Sequence, residues 1–131
     1  MANQSDPLVA PIPGADTRVV GGVQVDVVPA GSGRIKRVIY QPGFRWSTHM
    51  KNSVATELCM HAHVGFIARG RIGVRYGDGT TLEFVAPQVV AIEPGHDGWV
   101  IGEEPAVLIE VDFMGDTPEK FGMTGSPRRK G

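Results

Sequence analysis

Glycine and proline recur along the whole chain and divide it into short segments. The 131 residues include 18 glycines and 10 prolines, and pairs such as Pro42-Gly43 and Pro94-Gly95 stand between short apolar runs. These residues favour turns, because glycine adopts positive φ without strain and proline cannot continue a helix or a central strand. No segment repeats apolar residues at every third and fourth position over a helical length. The pattern therefore predicts an all-β sandwich or barrel.

The alternation of apolar and polar residues predicts where the strands lie. In the segment 44–50, Phe44, Trp46 and Thr48 would share one face of a strand, and Arg45, Ser47 and His49 the other. Gly77-Asp78-Gly79 predicts a tight hairpin turn, and Val89–Ile92 a short buried strand. The predicted strands cover residues 17–28, 35–40, 44–50, 71–76, 80–85, 89–92, 99–101 and 105–113, with a further long strand that starts at Glu57.

The chain has the length of one domain with a single core. Residues 1–16 contain three prolines, which predicts an extended N-terminal arm that docks on its own barrel or on a neighbour's. We expect a β-barrel domain over residues 17–114. Residues 115–131 are polar and contain glycine and proline, so they are predicted to form a C-terminal tail.

Composition excludes several classes of partner. The net charge is -1, which gives no electrostatic reason to expect a nucleic acid or an anionic membrane. Cys59 is the single cysteine, so there is no internal disulfide, and the chain fits a reducing compartment. No run approaches the roughly 18 apolar residues of a membrane span. We therefore expect a soluble, cytoplasmic protein.

Candidate ligands concentrate in the long strand that starts at Glu57. Its alternation would place Glu57, Cys59, His61 and His63 on one face, since strand side chains point to opposite sides with a period of two. The other face would be wholly apolar, with Leu58, Met60, Ala62, Val64, Phe66 and Ala68. A strand that lines a polar pocket and a strand that faces solvent produce the same pattern, so both interpretations stay open.

The turns and strands resemble those of the cupin superfamily over about residues 34–113. The residues that carry this resemblance are Pro42-Gly43, the segment from His63 to Gly70, the Gly77-Asp78-Gly79 hairpin and Ile92-Glu93-Pro94-Gly95. The resemblance implies a cupin-type jelly-roll barrel, also called a double-stranded β-helix. It also implies a divalent metal held inside the barrel by motif histidines and a glutamate, and a homodimer.

The two metal-binding motifs of that family are altered in this sequence. Counting from Gly43 places His49 and Lys51 at the two histidine positions, whereas counting back from Gly70 places His63 at the glutamate position. In the second motif Gly98 stands where the family has histidine, and His96 lies two residues earlier. The two counts agree only if the segment 52–62 contains an insertion. A reading without this insertion makes Glu57, Cys59 and His63 the ligands instead, and both readings stay open. The chain is most similar to small single-domain cupins with Trp-Ser-x-His, Glu-x-Cys and Pro-Gly-His-Asp-x-Trp, here starting at Trp46, Glu57 and Pro94.

The resemblance and the histidines together predict a metal site and a ligand pocket. Neutral imidazole is a common ligand for transition metals, and we expect zinc, iron, nickel or manganese held by His49, His63 and His96. Glu57, Cys59 or His61 would complete the ligand set. His63 and His49 are the candidate catalytic residues, and Trp46, Lys51 and Trp99 would line the substrate pocket. The protein would then be a metal-dependent dioxygenase, isomerase or lyase acting on a small molecule, or alternatively a metal-free binding or sensor module.

Overall fold

The structure is a computed structural model that describes residues 6–50, 57–59 and 62–113. This part of the chain consists of strands and one short helix, which confirms the all-β prediction. In chain order the elements are β1 (Asp16–Val20), β2 (Val23–Ala30), β3 (Gly33–Tyr40), α1 (Trp46–His49), β4 (His63–Arg69), β5 (Arg71–Tyr76), β6 (Thr81–Val85), β7 (Gln88–Ile92), β8 (His96–Val100) and β9 (Ala106–Phe113).

The strands form two antiparallel sheets whose inner faces enclose the core. One sheet has six strands in the order β1-β2-β3-β9-β4-β7, and the other has three in the order β6-β5-β8. Their inner faces bring together Val38, Ile67 and Leu108 from the larger sheet and Ile72 and Val74 from the smaller one. Burial of these side chains is the main stabilising contribution to the fold.

The segment 17–28 is a hairpin of two strands rather than the predicted single strand. Gly21 and Gly22 have φ angles of 58° and 80°, which is the backbone that a tight two-residue hairpin turn requires and that glycine adopts without strain. The strands β1 and β2 pair from Asp16↔Val27 to Val20↔Val23. Valines recur on both sides of the turn, and for this reason the sequence pattern predicted one strand instead of two.

The segment 44–50 is not the predicted strand, because residues 46–49 form the helix α1. Asp97 holds the start of this helix, since its carboxylate accepts hydrogen bonds from the amide and the hydroxyl of Ser47, both at 2.9 Å. Trp46 is buried in the core. A helix of four residues is too short to show a helical period, so contacts with distant residues decide its conformation.

The prediction of a long strand that starts at Glu57 is wrong for its first residues. Residues 57–58 form a bend, and Cys59 makes an isolated bridge with His96, while β4 begins only at His63. Residues 60–61 lie outside the described residues. The apolar row of β4 points outward: Val64 and Phe66 are 52% and 43% exposed. The cause is the register with β7, which places His63 beside the buried Ile92 and therefore on the inner face.

Two other strands differ from their predicted form. The strand β7 is half-buried rather than buried, because Val90 and Ile92 face the core while Val89 is 77% exposed. The strand β8 begins at His96 rather than at Trp99. It pairs with β5 from Tyr76↔His96 to Ile72↔Val100, so residues 96–99 of the Pro-Gly-His-Asp-x-Trp motif are part of the sheet.

The described part of the N-terminal arm contacts the six-stranded sheet of its own barrel. The Asp6 carboxylate lies 2.6 Å from Arg69 Nη1, and Arg37 Nη1 donates a hydrogen bond of 3.3 Å to the carbonyl oxygen of Pro7. Arg37 also forms an ion pair of 2.8 Å with Asp26, its cross-strand partner, and both side chains are almost fully buried. The tail predicted over 115–131 lies outside the described residues.

Candidate metal centre

A cavity of about 450 Å³ lies between the two sheets. Its walls are mainly aliphatic and aromatic side chains, which is typical of small-molecule sites. Six residues with polar side chains also line it. These polar residues are Lys36, Tyr40, Cys59, His63, His96 and Glu110.

Cys59, His63 and His96 bring three metal-ligand atoms together on the cavity wall. One sulfur or nitrogen atom from each residue lies within 4.8 Å of the others. The Cys59 Sγ and His63 Nε2 atoms are 3.9 Å apart, close to the about 3.6 Å that separates a sulfur and a nitrogen on a tetrahedral zinc ion. Sulfur and imidazole nitrogen are also the donors that structural and catalytic zinc sites use. The donor set therefore fits a transition metal.

Backbone pairing between Cys59 and β8 holds this group in place. The Cys59 amide donates a hydrogen bond of 2.7 Å to the His96 carbonyl oxygen, and the His96 amide donates one of 3.2 Å in return. The ring of His63 reaches the same point from the start of β4, with its centroid 5.1 Å from that of His96. The three ligands thus come from different sheets and a connecting segment, as in a barrel interior.

Each imidazole has an acceptor at its Nδ1 atom. His63 Nδ1 lies 2.8 Å from Glu110 Oε2, and His96 Nδ1 lies 2.6 Å from the Glu93 carbonyl oxygen. A proton on Nδ1 satisfies both contacts, and the neutral imidazole then has its lone pair on Nε2. Metal-bound histidines commonly have such partners, which set the tautomer and the ring orientation.

The surroundings of His63 favour its protonated form in the metal-free protein. Burial alone would lower the pKa of His63, but hydrogen bonds to Cys59 and Glu110 and the negative charge of these groups outweigh burial and raise the pKa from 6.5 to about 9. Burial and the charges of Glu110 and Cys59 raise the pKa of Tyr40 well above its ordinary value. The Tyr40 phenol therefore keeps its proton at neutral pH.

The metal-free protein is expected to lose stability as the pH rises from about 6.5 through 9. His63 holds its proton more tightly in the folded than in the unfolded state, so its contribution is complete below the unfolded pKa and is lost above the folded one. A difference of this size corresponds to on the order of 3 kcal/mol. Urea denaturation at several pH values measures it. Glu110→Gln, which removes one charge beside His63, should flatten the profile, and a wild-type profile as flat as that of the variant would contradict the assignment.

The other predicted site residues lie in different places. His49 is exposed on α1, where its Nδ1 atom lies 3.0 Å from the Arg45 carbonyl oxygen and its ring stacks on Phe44. Glu57 is exposed. His61 and Lys51 lie outside the described residues. The structure thus brings together Cys59, His63 and His96 from the predicted ligands and leaves His49 and Glu57 apart from them.

Trp46 and Trp99, which the sequence predicts as pocket residues, both line the cavity. The Trp99 indole lies so close to Gly73 that a Cβ atom there would overlap the ring. The guanidinium carbon of Arg45, the residue before α1, lies 4.6 Å from the centre of the same indole. Glycine at position 73 is therefore needed to let Trp99 pack flat against β5.

Sequence reasoning missed three polar residues of the cavity, Tyr40 and the charged pair Lys36 and Glu110. Lys36 and Glu110 are cross-strand partners on β3 and β9, and Lys36 Nζ lies 3.7 Å from Glu110 Oε1. Glu110 is 2% exposed and also contacts His63, which lies on the other neighbour of β9. Each strand contains more than one charged residue, and which of them faces the cavity depends on the order β3-β9-β4, which no local pattern indicates.

Comparison with solved structures gives matches to the fold at low sequence identity. A cupin 2 conserved barrel domain protein from Salinispora arenicola matches with a TM-score of 0.55 and 18% identity, over 87% of this chain and 94% of that chain. A cupin-2 domain from Rhodospirillum rubrum matches with a TM-score of 0.56 and 18% identity, over 79% and 72%. The FeII form of HppE matches with a TM-score of 0.53 and 12% identity, over 82% and 62%.

Two further comparisons found no match. No protein-family model matches the sequence, and neither does any curated protein. Among the described residues there is no helix with the length and hydropathy needed to cross a membrane. The two packed antiparallel sheets and the matching structures agree with the predicted jelly-roll architecture. By its fold, the chain is a small cupin-like β-barrel.

Proposed function

We propose that the barrel binds a divalent transition metal through Cys59, His63 and His96, with a small organic molecule beside it. The observation that carries this proposal is the convergence of three ligand atoms within 4.8 Å on the wall of an apolar cavity. One thiolate and two imidazoles suit zinc, iron or nickel better than manganese, which prefers oxygen ligands. Three protein ligands also leave a position for a further ligand, as in catalytic zinc sites.

The reaction class that fits such a site is that of a dioxygenase, isomerase or lyase. A metal there supplies a Lewis acid that polarises an oxygen atom of the bound molecule. The chain itself contributes Glu110, which orients the His63 ring, and Tyr40, whose neutral phenol is a hydrogen-bond donor on the cavity wall. The apolar walls keep water away from the bound molecule and strengthen these polar interactions.

A second candidate function is metal-free binding of a small apolar ligand. The aromatic walls at Trp46 and Trp99 favour it, because a cavity of this kind binds apolar molecules without a metal. The histidines would then serve as hydrogen-bond partners. If so, His63→Ala should weaken ligand binding by about 1–3 kcal/mol, the effect of an unpaired buried polar group, and the bound molecule should be recovered chemically unchanged.

Titration with cobalt(II) under anaerobic conditions tests the metal proposal. Cobalt(II) replaces zinc in nitrogen and sulfur sites, and a thiolate ligand adds an intense near-ultraviolet charge-transfer band. We expect this band in the wild-type protein and in His49→Ala, whose histidine is exposed and outside the cluster. Cys59→Ser should lose the band, because a hydroxyl does not replace a thiolate as a soft ligand. A band that is absent from the wild type, or unchanged in Cys59→Ser, would contradict the proposed ligand set.

We also propose that the chain forms a homodimer through the outer face of the six-stranded sheet. Phe66 and Val89 are cross-strand partners on that face and are 43% and 77% exposed, and Val64 lies beside them. Such apolar patches commonly mark interfaces. We expect a dimer in sedimentation velocity at micromolar concentration and dissociation in Phe66→Glu. A wild-type protein that sediments as a monomer would exclude the dimer.

A further inference from the structure

Gly98 is a residue without a side chain on the inner face of β8. It is the cross-strand partner of Val74 on β5, and the side chains of residues directly opposite each other lie on the same face of a sheet. Val74 is buried and lines the cavity, and so do His96 and Val100, which lie two residues before and after Gly98. A side chain at position 98 would therefore point into the cavity.

A glycine in the interior of a strand is unfavourable unless the structure requires it there. Glycine loses more conformational freedom on folding than any other residue, and in strands it often marks a bulge, a bend or the close approach of a ligand or another part of the protein. Two other strand glycines of this barrel are explained by close approach of the protein itself. A Cβ atom at Gly65 would overlap the Ile109 carbonyl oxygen, and one at Gly73 would overlap the Trp99 ring.

Within the described part of the chain, none of the reasons internal to the protein applies to Gly98. The strands β8 and β5 pair without a shift in register from Tyr76↔His96 to Ile72↔Val100, so there is no bulge between them. The φ angle of Gly98 is not positive. Apart from its chain neighbours, the nearest described atom to a Cβ at position 98 would be the Gly73 carbonyl oxygen, at an ordinary contact distance of 3.6 Å. The reason that remains is close approach of a ligand.

We infer that the cavity ligand lies directly against the backbone of β8 at Gly98, and that Gly98 determines how large the part of the ligand at this point is. This inference rests on the small-molecule part of the proposed function and specifies where the molecule binds. Val74 and Val100 flank the position on the cavity wall, so the group in contact with Gly98 is apolar. His96 lies on the same face of the strand, two residues away, and a polar end of the ligand would point towards it.

Thermal unfolding without added metal or probe shows whether the protein itself requires this glycine. Gly98→Ala should melt within about 2 °C of the wild type or higher, because alanine restricts the unfolded chain and meets no close neighbour. Gly73→Ala should melt about 4 °C or more below the wild type, because its Cβ overlaps the Trp99 ring and overpacking is destabilising. A Gly98→Ala protein that melts as low as Gly73→Ala would overturn the inference, since packing within the protein would then explain the glycine.

Binding of two neutral aromatic probes, toluene and 2-naphthol, tests the contact with the ligand. Apolar cavities in proteins bind small molecules of this kind, and calorimetry on protein incubated with zinc measures the affinity. We expect the wild type to bind at least one probe and Gly98→Ala to bind it about tenfold more weakly, because one methylene in an apolar pocket changes affinity by about 10–200-fold. Gly98→Val should weaken binding further. Unchanged affinity in Gly98→Ala, or no binding of either probe to the wild type up to about 1 mM, would overturn the inference.

Gly77→Ala is the matched control for the binding experiment. Gly77 lies in the turn after β5, it is not among the described residues that line the cavity, and its φ angle is not positive. A Cβ atom there would contact the end of the Leu58 side chain at 3.4 Å. The same substitution should therefore leave probe affinity within about twofold of the wild type. Equal losses of affinity in Gly77→Ala and Gly98→Ala would overturn the role of Gly98.

The metal and ligand claims fail in different ways. The cobalt(II) charge-transfer band depends on the Cys59 thiolate and should be unchanged in Gly98→Ala, because position 98 supplies no metal ligand. Protein without this band that still loses probe affinity in Gly98→Ala would contradict the metal centre and support the inferred position of the ligand. Protein with the band whose probe affinity does not depend on position 98 would support the metal centre and overturn the inference.

Discussion

Replacing His63 by alanine is expected to lower the affinity for zinc by about a hundredfold or more. His63 supplies one of three clustered ligands, and even the loss of a hydrogen-bond partner behind a ligand costs about 10–100-fold in metal affinity. Removal of the ligand itself should cost more, and it also removes one of the partners of the buried Glu110 carboxylate. The measurement is competition for zinc against a coloured chelator of known affinity.

His49→Ala is the matched control for this experiment. His49 is a predicted ligand of the first motif, but it is exposed and its ring contacts the Arg45 backbone and Phe44 rather than the cluster. Its replacement should change zinc affinity by less than about twofold, as expected of a surface substitution far from the site. Equal losses in the two variants would show that the ligands are assigned wrongly.

Arg37→Met is expected to destabilise the fold by about 3–5 kcal/mol. The guanidinium forms a 2.8 Å ion pair with Asp26, and the two side chains are only 2% and 1% exposed. The substitution leaves the buried Asp26 carboxylate without its cationic partner, and loss of one partner of a buried ion pair is strongly destabilising. Asp26 would retain hydrogen bonds from Thr17 and Gln24, so part of its charge stays stabilised. Urea denaturation at neutral pH measures the change.

An exposed pair provides the comparison for Arg37. Arg18 and Asp16 lie 3.5 Å apart with side chains 73% and 66% exposed, and exposed pairs contribute about 0–1 kcal/mol. Arg18→Met should therefore be nearly neutral. If Arg37→Met is equally neutral, the buried ion pair does not stabilise the fold. Burial opposes ionisation of Asp26, but its hydrogen bonds and the Arg37 charge outweigh burial and lower the pKa of Asp26. The contribution of Asp26 to the free energy of unfolding should therefore decrease as the pH falls through this lowered pKa.

The sequence predicts those parts of the fold that depend on local residues. Glycine and proline mark most of the turns, and the strands β3, β5, β6 and β9 lie close to where apolar alternation places them. The helix α1 was not predictable in this way, because Asp97, 50 residues away from Ser47, holds its first turn. The sequence could not predict which face of β4 is buried for a similar reason, because the register of β4 with β7 determines this.

The candidate site was predicted only in part. Cys59, His63 and His96 stood among the candidates because their residue types suit a metal, whatever the conformation between them. Lys36 and Glu110 were missed because β3 and β9 are far apart in sequence, and only the pairing of β9 with both β3 and β4 places these charges near His63. Non-local pairing thus determines the electrostatics of the cavity.

Elemental analysis of protein purified without an affinity tag tests the central claim most directly. Metal-binding tags are avoided because they carry transition metals to any preparation. The proposed site predicts about one equivalent of zinc, iron or nickel per chain, either as purified or after addition of the metal and removal of the excess, since three converging nitrogen and sulfur ligands bind such ions tightly. Less than about a tenth of an equivalent as purified, with none taken up on titration, would contradict the metal centre.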